Sequence, residues 1–306
     1  MSKLNVGGQA LIEGVMMKSE KVKSIAIRKQ DDTILVTSED LKPSKLNKFK
    51  KIPFLRGMFV LIESMVEGTK DINYAASFYA EDESEETGMF EKIMVKLFKD
   101  KADQAATALS MVMAFAIAIG FFIVLPAFLV RGSNREASLL ASLKEGLIKI
   151  SFFVAYIYII SLMEDIKRVF QYHGAEHKSI FAYERGLELT VENVKKMPRL
   201  HPRCGTNFIF VVLMVSTLIF SFFTFENVLI RSLLKLAFFP LVAGIAYEII
   251  KIAGKYQNIF TKTLILPGLL MQKITTREPD EKQIEVAIAA LKSTLEITNI
   301  SEASSI

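Results

Sequence analysis

All three histidines of this chain, His173, His177 and His201, lie in one polar stretch between strongly apolar segments, and its one cysteine, Cys204, lies there too. The order His173-Gly174-Ala175-Glu176-His177 sets two imidazoles at i and i+4. On a helix these share a face at a spacing that lets them bind one metal ion. Glu176 completes an H-x-x-E-H pattern, in which the histidines bind zinc and the glutamate polarises a bound water as general base. His201-Pro202-Arg203-Cys204 offers the remaining donors, because imidazole nitrogen and thiolate sulfur both suit zinc and Pro202 stiffens the turn between them. The expected ligands are therefore His173, His177, His201 and Cys204 around zinc or another divalent metal, with Glu176 as the catalytic residue. Three bound side chains leave a coordination position open for chemistry, and four close the site into a structural one. A metal-free reading competes: the histidines then hydrogen-bond nearby backbone, and Cys204 is a small buried hydrophobe.

The elements that must position these residues belong to a membrane protein. A 51% hydrophobic share and a mean hydropathy of +0.33 exceed what soluble chains usually carry, so lipid or partners must cover the excess. Ala105 to Val130 is free of charge and exceeds the roughly 20 residues that span about 30 Å of hydrocarbon. Leu147 to Met163 is broken only by Lys149, which can snorkel. Phe208 to Phe225 and the shorter Leu236 to Ile250 complete four expected transmembrane helices. Lysine and arginine crowd the segment from Glu164 to Asn207, while the connection from Glu226 to Arg231 holds one basic residue. The long loop is thus expected in the cytoplasm, together with both termini. The loop from Arg131 to Gly146 fits this orientation less well. The N-terminus is no cleavable signal peptide, and a single cysteine forms no internal disulfide.

The expected fold is an α-helical polytopic membrane protein with a small α+β cytoplasmic domain built from the N-terminal region, the central loop and the C-terminal tail. The divisions are a cytoplasmic region with a β-hairpin at 22–37 (1–50), an amphipathic helix (51–80), an acidic solvated linker (81–104), transmembrane helices 1 and 2 (105–163), the His/Cys loop (164–207), transmembrane helices 3 and 4 (208–250) and a cytoplasmic C-terminal region (251–306). In the amphipathic helix Leu55, Phe59, Ile62, Met65 and Val66 recur at helical spacing, and it either lies on the membrane or packs on the cytoplasmic domain. Pro279 opens a last helix with a stripe of Ile284, Ile288, Leu291 and Leu295. Glu248 and Lys251 form an i, i+3 pair at the interface, and Gly7, Gly8 and Gly14 either line a site with Gln9 and Glu13 by close backbone approach or, more simply, form a flexible connection.

Five segments in order carry a family resemblance: Gly7 to Met17, Pro53 to Gly57, Tyr172 to Lys178, His201 to Thr206, and Thr275 to Asp280. On these the chain resembles the YqhQ-like family of membrane proteins, described as predicted metal-dependent enzymes. The resemblance implies a bacterial cytoplasmic-membrane protein and groups Glu13, Arg56, Arg277 and Glu278 with the histidine loop. Asn207 stands where the family pattern leads one to expect serine; either residue can cap the third span.

Two functions compete. One is a membrane-bound zinc hydrolase acting on an amide, ester or phosphate; the other is a non-catalytic scaffold or membrane-protein assembly factor with a structural metal site or none. A transporter ranks third, because four spans with almost no mid-membrane charge build no ion path. The expected partners are the lipid bilayer, a protein on the cytoplasmic side and a second copy of the chain, and no nucleic acid.

Overall fold

The N-terminal glycines do not form a loose connection; they begin a sheet. A computed structural model describes residues 4–41, 52–79, 102–133, 139–222, 227–255 and 259–303. In it β1 (Gly7–Leu11), β2 (Gly14–Lys18), β3 (Val22–Arg28) and β4 (Ile34–Asp40) form an antiparallel meander in chain order. The hairpin expected over 22–37 is therefore half of a larger sheet. The sequence hides the first half because its strands are short and glycine-rich, yet Gly14 is required: a Cβ there would meet the Ala26 carbonyl at 2.7 Å. Ile12 and Glu13 make the two-residue turn that pairs Leu11 with Gly14, and Glu13 takes a left-handed φ of 48°.

The chain divides into two units. The first comprises Met1–Tyr79, Val154–Val215 and Pro240–Ile306. Its strands alternate between two buried faces. Val15, Met17 and Ala26 pack with Tyr172, Ala175, Ile284, Ile288 and Leu291 of helices α5 (Glu164–Arg185) and α10 (Glu281–Ala303). Leu11, Met16, Ile25 and Ile27 pack with Ala75 and Tyr74 at the end of α1 (Leu55–Ala76). Burial on both faces explains why β2 and β3 lack the hydrophobic–polar alternation that marks a one-sided sheet. α10 begins with a reciprocal cap: Gln283 N donates to Asp280 Oδ1 at 2.8 Å, and Asp280 N donates to Gln283 Oε1 at 3.0 Å.

The second unit comprises Ala80–Phe153 and Ser216–Phe239. Here α2 (Ala102–Ile119) runs through a π-helical turn, Gly120–Val124, into α3 (Leu125–Ser133), and Phe121 stacks on Phe152 of α4 (Leu139–Ile160) at 5.2 Å. The segment 131–146, expected as a loop, already enters α4 at Leu139. Its Glu145 is buried in an ion pair with Lys235. Both residues lie outside the expected spans 147–163 and 236–250, and Lys235 sits near the start of the apolar stretch Ser232–Ile252.

The other elements are α6 (Val191–Lys195), α7 (Gly205–Ser221), α8 (Val228–Lys255) and α9 (Ile259–Thr275). Among the described residues two helical stretches are long and apolar enough to cross a membrane, Val112–Val130 and Ser232–Ile252, or three if α4 and α5, bent by 100° at their junction, count as one broken span. This is a membrane protein, but four spans are not confirmed. The third expected span falls short because the turn before Gly205 and the end at Ser221 leave α7 only 17 residues, about 25 Å of helix. The acidic linker from Glu81 to Lys101 and the basic stretch from Lys42 to Lys51 lie outside the described residues.

Candidate metal centre

The H-x-x-E-H segment sits mid-way along α5. That helix starts with Glu164 and Asp165, whose charges complement its N-terminal dipole, and stops at Gly186 in the left-handed conformation. Tyr172 and Ala175 face the core shared with the sheet and α10, which fixes the helix rotation and turns His173 and His177 toward the 199–206 segment. Neither Glu164 nor Asp165 joins the site; both are exposed in the first turn.

Three of the four expected donors converge. One ligand atom each from His173, His177 and Cys204 lie within 4.8 Å of one another, and His173 Nε2 is 3.2 Å from Cys204 Sγ. The tautomers follow from the acceptors. His173 Nδ1 is 2.9 Å from the Thr275 carbonyl, and His177 Nδ1 is 2.5 Å from the Arg199 carbonyl. A carbonyl oxygen only accepts, so each Nδ1 carries the proton and donates, leaving each Nε2 as the acceptor nitrogen, that of His173 against the Cys204 sulfur. Tying one ring nitrogen to a backbone acceptor while the other is left to accept is the arrangement that orients metal-ligating imidazoles. Cys204 precedes the first turn of α7, and the Thr206 amide points at its sulfur from 3.5 Å.

His201 stands apart. Its ring centroid is 5.6 Å from that of His177 and 4.5 Å from that of Phe181, and its Nδ1 accepts from Arg203 N at 3.3 Å. Nε2 is buried without a hydrogen bond, 3.4 Å from Glu184 Oε1. Burial, with His177 and Arg203 adding to it, pushes this imidazole down to about 3. The ring is neutral, so the Glu184 contact is not an ion pair, and the Glu184 carboxylate pairs with Arg203 instead.

Glu176 points away from the core into a slot against β1. It is buried, and among the described residues it makes no hydrogen bond. A Cβ on Gly8 would meet its Cγ at 2.7 Å, so only glycine leaves the carboxyl its room. Burial pushes the carboxyl up to about 7, against the pull of His173.

The backbone segments that reach the histidines do so through glycine and amide positions. At Gly174 a Cβ would lie 2.1 Å from the Arg277 carbonyl; its absence lets residues 275–279 cross α5 closely enough for Arg277 N to donate to Phe170 O at 2.8 Å and for Thr275 to reach His173. Lys178, buried, pairs with Glu278 and donates to the Lys195 carbonyl at 2.9 Å, while Arg199 donates to the Thr276 carbonyl at 2.9 Å. Gln272, fully buried, accepts from His201 N at 2.7 Å and donates to the His201 carbonyl at 2.8 Å and to Asn207 Oδ1 at 3.2 Å. Asn207 in turn donates to the Pro202 carbonyl at 2.6 Å. Asn207 thus uses both a donor and an acceptor to hold the turn that carries Cys204. Sequence reasoning missed Gln272; a lone glutamine in an apolar helix is the signal that could have found it.

The residues grouped with the loop by family resemblance separate. Glu13 grips α5 through both oxygens on Arg168 and accepts from the Tyr172 hydroxyl at 3.1 Å. Arg277 and Glu278 line the crossing over α5. Arg56 goes elsewhere, to Glu248 of α8, with Nε to Oε1 at 2.6 Å, so the acid expected to pair with Lys251 has Arg56 as its hydrogen-bonded partner.

The sequence of this chain matches, over residues 52–297, the model of a family described as protein of unknown function (DUF1385). It is 36% identical over 308 residues to the uncharacterized protein YqhQ of Bacillus subtilis (strain 168), an alignment covering 97% of this chain and 94% of that one. No solved structure matches it.

Proposed function

The chain belongs to the YqhQ-like DUF1385 family, and we propose that it is a membrane-bound hydrolase dependent on a metal ion held by His173, His177 and Cys204. The observation that carries this reading is the pair of Nδ1–H groups committed to the carbonyls of Thr275 and Arg199, which leaves two imidazole lone pairs and one sulfur facing a common point. Two nitrogens and one sulfur within that span suit zinc, and three protein donors are the number found where a coordination position is kept for reaction. A divalent ion bound there supplies a Lewis acid and an acidified water.

The protein's own share falls to Glu176. A carboxyl held near 7 is about half protonated at neutral pH, so it can take a proton from a nucleophile and return it to the leaving group of an amide, ester or phosphate. Its slot against Gly8 keeps it dry, and its place beside His177 on α5 fixes it relative to the donors. We place this site, and both ends of the chain, on the cytoplasmic face of a bacterial membrane, because the segment bearing it holds most of the loop lysines and arginines.

Metal analysis of detergent-purified protein tests the reading. Zinc or another divalent ion should be present near one equivalent and be lost in the His173→Ala, His177→Ala double variant; a metal-free wild type purified without chelator would sink it. Glu176→Gln then separates the enzyme from a scaffold. It should keep the metal and the fold while abolishing turnover on whichever amide, ester or phosphate the wild type cleaves.

A further inference from the structure

Helix α1 is amphipathic in the wrong sense for a helix that packs only on its own domain. Apart from Tyr74 and Ala75 at its end, the side that meets the sheet is polar: Glu67 pairs with Lys18 at 2.5 Å, Asp71 with Lys23 at 2.8 Å, and the Gly68 carbonyl accepts from Gln9 at 3.4 Å. The apolar stripe points out, with Ile62 46%, Met65 46%, Val66 51% and Ile72 40% exposed. Phe54 and Ile52, just before the helix, are exposed as well. A helix free in water would gain by the opposite rotation, so something apolar must meet this face.

The start of α1 shows what that is. Its first turn is clamped to α8 inside the apolar stretch Ser232–Ile252. Cβ atoms added to Gly244 or to Gly57 would meet the Phe54 carbonyl at 1.7 Å and Tyr247 Cβ at 2.6 Å, Arg56 pairs with Glu248, and the Arg56 guanidinium lies 5.9 Å from the Tyr247 ring. Leu241 and Ile252, which bracket this contact along α8, are themselves exposed, as residues facing lipid are. The chain just before α1 carries Lys45, Lys48, Lys50 and Lys51, a charge suited to anionic headgroups. We propose that α1 lies in the plane of the bilayer surface, in the leaflet that receives the C-terminal end of α8, with Ile62, Met65, Val66 and Ile72 in the headgroup–acyl boundary and the sheet held beneath it by Glu67 and Asp71. The helix then serves as the hinge plate by which the sheet unit is held flat against the membrane.

The chain contains no tryptophan, so single substitutions give probes without background. Val66→Trp and Met65→Trp report the outer face, and Ser64→Trp, at an exposed position nearly opposite on the helix, is the control. The full-length variants are reconstituted in phosphatidylcholine–phosphatidylglycerol vesicles with and without brominated acyl chains. The expected result is blue-shifted emission and a loss of intensity on bromination for Val66→Trp and Met65→Trp, with neither for Ser64→Trp. Equal quenching at all three positions would overturn the in-plane orientation. Red emission at 65 and 66, or blue emission indifferent to bromine, would overturn the lipid contact, the latter in favour of a protein or a second copy covering the face.

Discussion

Gly174→Ala is the smallest change that reaches the candidate centre without touching a donor. On helix propensity alone it should stabilise α5 by about 1 kcal/mol. The structure predicts the reverse. The new Cβ would sit 2.1 Å from the Arg277 carbonyl oxygen and 3.3 Å from Pro279 Cδ, and the obstacle is backbone, which cannot rotate aside. To restore even a tight contact of about 3 Å, residues 275–279 must retreat by roughly 1 Å. That movement stretches the Arg277 N–H to Phe170 bond of 2.8 Å and the His173 to Thr275 bond of 2.9 Å. Two hydrogen bonds at about 1 kcal/mol each, plus the packing of Pro279, give a net loss of roughly 2–4 kcal/mol. In a unit of this size the melting temperature should fall by about 5–10 °C. Release of His173 from its orienting carbonyl should also weaken metal binding by about 10–100-fold. Thermal melts in detergent and titration against a competing chelator measure the two effects. A variant that melts at or above the wild-type temperature would refute the crossing geometry, and one that melts lower while keeping wild-type metal affinity would refute the orienting role of Thr275.

Three further changes test neighbouring parts. His201→Ala should leave metal content unchanged whereas Cys204→Ser lowers it, as elemental analysis of the two purified variants would show; loss in both would restore His201 to the ligand set. The imidazole of His201 also sets a pH dependence: held near 3 in the folded chain against 6.5 free, it binds fewer protons folded than unfolded, so its stabilisation is complete above pH 6.5 and drains away as pH falls toward 3. At pH 5.5 the cost is about 1 kcal/mol, so His201→Gln should flatten the fall in melting temperature between pH 6.5 and 5.5. Gly244→Ala, with its Cβ 1.7 Å from the Phe54 carbonyl, should detach the first turn of α1 and raise amide exchange there by at least about tenfold, while Ala243→Gly, the adjacent buried position, should not.

The clustering of His173, His177 and Cys204 was more legible than the frame around it. His173 and His177 announce themselves because a helix converts a spacing of four into a shared face, and the i, i+4 rule needs no tertiary information. Cys204 follows from being a soft donor in the same stretch. His201 looked equivalent by type, but what removes it from the group is the packing of its ring on Phe181 and the hold of Gln272 on its backbone, neither of which spacing encodes. The same limit hid β1 and β2. Both strands are short, β2 is buried on both faces and so lacks the period-two signal, and Gly8 and Gly14 read as flexible connection although a Cβ on them would meet Glu176 and Ala26. The stripe on α1 was correctly periodic, but periodicity gives a face without saying whether that face meets protein or lipid.

The positions of His201 and Glu176 also bear on whether the centre is a staple or a reactive site. A structural site closes when a fourth donor lies within reach, and here the residue best suited to close it has been withdrawn. His201 is neutral, its Nδ1 occupied by Arg203 N and its Nε2 directed at Glu184. Joining the other donors would cost the Arg203 bond and the Phe181 contact while leaving Gln272 still gripping the backbone. At the same time Glu176, the buried acidic residue of the donor helix, makes no hydrogen bond among the described residues and sits in a slot shaped by Gly8, where burial holds its carboxyl near 7. A fold selected only to bind a metal tightly would gain by bringing His201 in and by letting Glu176 reach water. If the centre is the reactive site proposed above, one donor held back and one carboxyl kept dry are the departures expected there, and metal content together with the Glu176→Gln variant tests that reading.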